Sequence, residues 1–407
     1  MKALWIVGIC LLLAMGAAQA QETPANGEII DIEFITTHEI SEINQLITGF
    51  YEADQVLPAR YAVDEYRMRY ASTYRDGEPI VIVTQFFVPR TDEPAAFPVY
   101  VNGAGSTGIA DQCAPSREQA GVENWGSYRL YMLTMAAQGL ITSQPDYAGF
   151  NDPDRIQPYY VAEMAGRVVL DAARATLNWS AETDGPVTAE PAVIIAGYSQ
   201  GGQTVFAAKD MWESYAPEVP LKGIIGFAPV TNMASHMLTL SPVAPYRIAA
   251  YAEYYGEEQA DASRVFTDFW LPTMPEDILA KCVFDAVGYW SRNPAELYRP
   301  EILDGLLNDT LDEVYPELDA LLKLNSPGFV QNDIPALIVQ GTEDATIPMS
   351  IHEAFVARYC EAGNVLNTLM YPGADHFHLR EMSYRPVLGW IAEIIAGDVP
   401  PNECEAS

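Results

Sequence analysis

The chain has 407 residues, enough for one large domain or two; 49% are apolar and 11% aromatic, so a core of ordinary size can form and a disordered chain is excluded. Fifty-five acids against 22 bases leave a formal net charge of −33, which disfavours nucleic acid and anionic membrane surfaces as partners. A neutral substrate such as an ester is not repelled by such a surface.

The chain opens with Met1-Lys2, an apolar run from Leu4 to about Ala18, and the small-x-small string Ala18-Gln19-Ala20 ahead of Gln21. That order reads as a secretory signal peptide over residues 1–20. The run is shorter than the ~20 residues that comfortably span a bilayer. No later stretch is long and apolar enough to do so. The expectation is a secreted or periplasmic protein with no integral membrane segment after signal cleavage. With Cys10 removed, Cys113, Cys282, Cys360 and Cys404 remain, an even count that in an exported chain suggests two disulfides. Cys360 with Cys404 and Cys113 with Cys282 is the simplest pairing, because the first two share the last quarter of the chain. Spacing alone leaves the other pairings open.

After a polar segment at residues 21–27, residues 61–71 and 80–88 read as an antiparallel hairpin turning at Asp76-Gly77. From Pro98 the pattern changes to short apolar strands alternating with helices: strand 98–101, helix 128–138, strand 140–143, a long amphipathic helix over about 160–179, strand 192–196, helix 201–215 and strand 223–227. This order implies a mostly parallel sheet with helices on both faces, preceded by antiparallel strands. The alternation stops over residues 231–330, which are helix-like and rich in Tyr, Pro and Leu, and resumes with strand 335–340, helix 351–361, strand 365–371 and helix 384–395. The expected organisation is therefore a core of residues 21–230 and 331–407 interrupted by a helical cap over 231–330.

Gly197-Tyr198-Ser199-Gln200-Gly201, followed by Gly202, carries the sharpest chemical signal. The bare pattern is weak. Its context strengthens it, because the buried-strand run Ala192-Val193-Ile194-Ile195-Ala196 stands directly before and a helix start directly after. A nucleophilic serine needs that strand-to-helix turn, where flanking glycines avoid clashes and the helix N-terminus favours developing negative charge. The fold this predicts is the α/β-hydrolase fold. Ser199 then needs a base from later in the chain. His376 fits, in the loop after strand 365–371, and His378 is the runner-up. Asp344 fits the third position, on the loop after strand 335–340; Glu343 is adjacent and Asp375 reads more simply as a turn residue. The chain order Ser, Asp, His is that of α/β-hydrolases.

Acyl transfer also needs donors for the tetrahedral oxyanion: the Gln200 backbone N–H, and a second N–H from Ser106 or Thr107 in Asn102-Gly103-Ala104-Gly105-Ser106-Thr107-Gly108. A phosphate loop is the rival reading of those glycines, but no Gly-Lys-Ser/Thr follows. Tyr198, Tyr251 and Tyr254 are the candidate substrate contacts. Tyr251 and Tyr254, with Tyr246 and Tyr255, could equally form the core of the cap itself. No metal or other cofactor is expected, since no His-Glu-x-x-His motif occurs.

The string from Gly105 to Ser116 that contains Gln112-Cys113-Ala114-Pro115, together with Pro145-Asp146-Tyr147-Ala148-Gly149, the helix around Asp171 and Arg174, and the serine turn, resembles the secretory lipase family of α/β-hydrolases over about residues 97–395. The resemblance implies carboxylic-ester hydrolysis of a small-molecule or lipid ester, a helical cap over an acyl pocket, and Ser199, Asp344 and His376 as the triad. The sequence departs from the family where Ala104-Gly105 stands in place of the usual His-Gly, which leaves the second oxyanion donor open. Rival readings are a serine peptidase or acyltransferase on the same fold, or a catalytically silent binding protein.

Overall fold

Strands β2 (Ala62–Thr73) and β3 (Pro79–Arg90) pair antiparallel without interruption, from Ala62 opposite Arg90 to Thr73 opposite Pro79. The computed structural model describes residues 23–119, 125–398 and 402–405, so the signal-peptide expectation for residues 1–20 lies outside the described residues. Within them the hairpin gains an outer strand, β1 (Ile29–His38), and a helix, α1 (Ile40–Phe50), neither of which was expected from the sequence. β1 is a sheet edge with most of its residues exposed, so burial imposes no strict period on it.

The remaining strands are β4 (Ala95–Gly103), β5 (Ile141–Pro145), β6 (Val187–Tyr198), β7 (Leu221–Phe227), β8 (Ala336–Gly341) and β9 (Leu366–Tyr371). They form one sheet in the order β1-β2-β3-β5-β4-β6-β7-β8-β9. β3 meets β5 antiparallel, and every pairing beyond it is parallel. Four helices follow β4, β5, β6 and β9: α2 (Tyr128–Ala136), α3 (Ala162–Glu182), α4 (Gln200–Tyr215) and, near the C-terminus, the helix Tyr384–Ala396. Alternate residues of β7 meet them on opposite faces. Phe227 packs edge-on to Tyr131 of α2, and a Cβ at Gly223 would meet Trp390 of the last helix. Gly226, of opposite parity, lies against Phe206 of α4. The period of two thus buries both faces, as a parallel sheet requires.

The long helix begins at Ala162 rather than at Tyr160. Tyr160 adopts φ 59°, outside the helical region, and ends the preceding loop. Between β7 and β8 the described chain forms α-helices and short turns, from α5 (Met233–Thr239) and α6 (Ala244–Tyr255) onward, including the helix Val283–Tyr289, and ending with Pro316–Leu324, with one isolated antiparallel bridge between Phe266 and Tyr298. Most are shorter than the ~12–15 residues an isolated helix needs, so packing must hold them. Disulfides join Cys113 to Cys282 and Cys360 to Cys404, with S–S distances of 2.04 and 1.97 Å. The first ties the loop after β4 to this helical segment. No helix among the described residues is long and apolar enough to cross a membrane.

Candidate active site

β6 ends at Tyr198 and α4 begins at Gln200, leaving Ser199 alone between them at φ 56°, ψ −108°. A non-glycine residue held there costs on the order of 1–3 kcal/mol. The turn is enforced by its surroundings: the Ser199 N–H donates to the Phe227 carbonyl at 2.9 Å, and the Ser199 carbonyl accepts from Val230 N–H at 3.2 Å. It also needs glycine at close crossings. A Cβ at Gly201 would lie 1.9 Å from the Gly103 carbonyl oxygen, and one at Gly197 would lie 2.2 Å from that of Gly201. The strained turn lifts the serine side chain away from the sheet.

The loops after β8 and β9 carry the other two residues and are stitched together by the backbone. Thr342 N–H donates to the Tyr371 carbonyl at 3.1 Å and Glu343 N–H to that of Ala374 at 2.9 Å. This brings His376 between Ser199 and Asp344. His376 Nε2 lies 3.0 Å from Ser199 Oγ, and Nδ1 lies 2.8 Å from Asp344 Oδ2. Asp344 Oδ1 accepts the N–H groups of Thr346 and Ile347, each at 2.8 Å, while Oδ2 also accepts Gln340 Nε2 at 3.3 Å. All three side chains are buried. A carboxylate so fully hydrogen-bonded is held to accept a hydrogen bond from Nδ1–H, which leaves Nε2 as the acceptor facing the serine.

Ser199 and His376 open on a cavity of about 380 Å³. The core lines it with Ser106, Trp125 and Tyr198, and the helical segment with Leu240, Val283, Phe284 and Val287. Of the two candidates for the second oxyanion donor, Ser106 lines the cavity. Thr107 is buried and its carbonyl accepts Val283 N–H at 2.8 Å. Gln200 is the first residue of α4, so its N–H has no partner within the helix. The Cys113–Cys282 disulfide pins the Ser106 loop to the Val283 helix.

Tyr198 is both a cavity wall and a support. Its ring lies 5.1 Å from that of His376, and the Arg380 guanidinium lies 5.0 Å from the ring centroid. Burial raises its hydroxyl pKa well above the usual value. Tyr251 and Tyr254, the other two tyrosines expected to contact substrate, are not among the residues lining this cavity. Tyr251 is buried with its hydroxyl on the Tyr160 carbonyl at 3.3 Å, and Tyr254 packs edge-on to Tyr74 at the seam between α6 and the core. Packing of α6 against the core, not the Tyr-rich string, sets where these rings point. His378 is exposed in a left-handed conformation (φ 62°), and Asp375 accepts Phe377 N–H at 2.9 Å, a turn contact.

One residue that sequence reasoning missed stands beside the serine. Tyr160 is fully buried, its hydroxyl next to those of Ser106, Tyr159 and Ser199 but with none of them at full hydrogen-bond geometry. Nothing local in Pro158-Tyr159-Tyr160-Val161 signals that placement. Among the described residues there is no cluster of His, Cys, Asp and Glu that could hold a metal.

The secretory lipase family matches residues 126–402 of the chain. Among proteins of similar sequence, a secreted triacylglycerol lipase of Malassezia globosa is 23% identical over 363 residues, 84% of this chain and 75% of its own. A lipase A of Moesziomyces aphidis is 22% identical over 360 residues, 83% and 74% of the two chains. Among solved structures, the rice cell wall degrading esterase of Xanthomonas oryzae superposes with a TM-score of 0.72 at 18% identity, covering 92% of this chain and 97% of that one. Candida antarctica lipase A in its closed state superposes with a TM-score of 0.69 at 19% identity, covering 93% and 84%. At those identities the superpositions establish the shared fold.

Proposed function

The chain belongs to the secretory lipase family of carboxylic ester hydrolases, and from that premise we propose that it cleaves esters through an acyl-enzyme on Ser199, with His376 as base and Asp344 as its orienting acid. The observation that carries this reading is the unbroken path from Ser199 Oγ to His376 Nε2 at 3.0 Å and from Nδ1 to Asp344 at 2.8 Å.

In the first half-reaction Ser199 Oγ attacks the ester carbonyl carbon as its proton passes to His376 Nε2. The carbonyl oxygen, now negative, accepts from the Gln200 N–H and the Ser106 N–H. Asp344 stabilises the imidazolium through Nδ1–H. Nε2 then returns the proton to the departing alkoxide, leaving the acyl-serine. Water enters by the same route, and the steps reverse to release the acid. The helical segment over residues 231–330 serves as the cap: Leu240, Val283, Phe284 and Val287 present an apolar wall to an acyl or alcohol group in the cavity. Export belongs to the same reading, supported by the string at residues 1–20 and by two disulfides, which persist outside a reducing cytosol.

Labelling with a fluorophosphonate followed by peptide mapping tests reaction class and nucleophile together. The expected result is one label, on Ser199, with loss of p-nitrophenyl butyrate hydrolysis. A folded sample that takes no label, or takes it elsewhere, would overturn the assignment. Comparing that ester with a long-chain triglyceride and a dipeptide amide separates esterase, lipase and peptidase.

A further inference from the structure

We propose that the Tyr160 hydroxyl is a third donor to the oxyanion, completing the hole that the Gln200 and Ser106 N–H groups begin. The proposal rests on the triad reading above and adds to it a side-chain donor from the loop before α3.

Tyr160 is held rigidly. Its backbone sits at φ 59°, its carbonyl accepts the Tyr251 hydroxyl at 3.3 Å, and its ring packs 4.5 Å from Tyr159 and 5.2 Å from His236. For a bulky residue that backbone conformation is a genuine outlier, which persists only where the surroundings over-determine it. The hydroxyl at the end of this ring is buried and has no partner at full hydrogen-bond geometry. A buried donor left poorly met is destabilising, and native chains rarely keep one without a reason.

The place where it is poorly met supplies the reason. The side chains beside it are Ser106 and Ser199, the two residues that flank the position of the oxyanion, along with Tyr159, whose own hydroxyl is taken up by Ser106 Oγ at 2.6 Å. A donor without a well-formed partner in the resting state finds one when negative charge develops on the substrate oxygen. The interaction is then made in the transition state and not before, which is the condition for raising kcat.

The surroundings favour that charge. The Arg247 guanidinium lies 4.7 Å from the centre of the Tyr160 ring, is fully buried, and forms no ion pair with a carboxylate among the described residues. It donates instead to the Met233 carbonyl at 3.0 Å and to His236 Nδ1 at 2.5 Å. Burial, and then Arg247 itself, hold the His236 pKa well below its usual value, so this cluster carries one uncompensated positive charge. Burial pushes the Tyr160 hydroxyl up to about 12, Arg247 opposing it, so the phenol keeps its proton at neutral pH and remains a donor. A phenylalanine would line the same space equally well; the hydroxyl is what needs explaining.

Tyr160→Phe tests the proposal, because it deletes one oxygen and leaves the ring. With p-nitrophenyl butyrate, kcat should fall about 10²- to 10³-fold while KM stays within about threefold, the signature of losing one oxyanion donor. Affinity for a trifluoromethyl ketone, whose adduct on Ser199 carries the oxyanion, should fall in step with kcat/KM. Unchanged turnover would overturn the proposal. So would a fall in turnover accompanied by a lower Tm and unchanged ketone affinity, which marks a structural role. If wild-type protein takes no phosphonate label on Ser199, the triad reading fails and this proposal with it. A label there with wild-type turnover in Tyr160→Phe overturns the proposal alone.

Discussion

At the C-terminal edge of the sheet, polar side chains are held by backbone, whereas in the helical segment between β7 and β8 they are held largely by reaching across to distant elements. Asp344 is fixed by two N–H groups of its own loop, and Ser199 by carbonyl and amide groups of β7 and the turn after it. In the helical segment, Tyr298 donates to the Met237 carbonyl at 2.7 Å and Tyr246 to the Lys281 carbonyl at 2.7 Å, while Arg247 bonds His236 and Met233. The difference teaches where each region is vulnerable. A strand-end site depends on chain geometry that few substitutions disturb gently. A set of short helices depends on many separable contacts, each of modest size.

The largest effect that would sharpen this contrast is chemical rather than structural. Ser199→Ala should lower kcat by ~10⁶, with His376→Ala similar, while the Tm stays close to wild type, as measured by p-nitrophenyl butyrate turnover and thermal melting. Comparable turnover in the serine variant would break the assignment of the core edge as the reacting region.

Opening the Cys113–Cys282 bridge acts on the joint between the two regions. The paired change Cys113→Ser, Cys282→Ser should cost about 2–5 kcal/mol of stability in urea unfolding. Turnover should fall far less than in Ser199→Ala, because the triad's own contacts do not pass through the bridge. A melt unchanged by the double substitution would mean that packing alone secures the helical segment.

Asp146 extends the test to pH. It is buried and accepts the Ser116 N–H at 2.8 Å, the Ser116 hydroxyl at 2.6 Å and Asn151 Nδ2 at 2.8 Å, but burial outweighs these bonds and raises its carboxyl to about 6. Because the folded value exceeds the unfolded one, its contribution to stability is full below about pH 4 and is lost as pH rises through 6. The size is on the order of 3 kcal/mol, from the separation of the two values at 1.36 kcal/mol per unit. Asp146→Asn should flatten that part of the stability profile between pH 4 and 7; a profile identical to wild type would place the dependence elsewhere.

The smallest expected effect lies inside the helical segment. Tyr298→Phe removes one buried hydroxyl and leaves the Met237 carbonyl without that donor, at a cost of about 1–3 kcal/mol. Ester turnover at temperatures below the melt should be unaffected. A large loss of turnover would show that the segment's internal contacts govern the site, which would dissolve the distinction between the two regions.

The sequence itself determined those features whose causes are local. The period-two and helical patterns disclosed eight of the nine strands now seen in the sheet. The edge strand β1 escaped, because a strand with little burial lacks a core-imposed alternation. Gly197, Gly201 and Gly202 around Ser199 disclose a turn, since close backbone crossings there exclude a Cβ, and chain order then singled out Asp344 and His376 on later strand ends.

Tertiary structure alone decided which tyrosine rings stand beside Ser199 and His376. Tyr251 and Tyr254 looked as suitable as Tyr198, and Tyr160 carried no signal at all. Every tyrosine offers the same apolar ring and polar tip, so local chemistry does not rank them. Their directions follow from how α6 and the loop before α3 pack against the core. Tyr251 is thereby spent on bonding the Tyr160 carbonyl, and the Tyr160 hydroxyl is left facing Ser199.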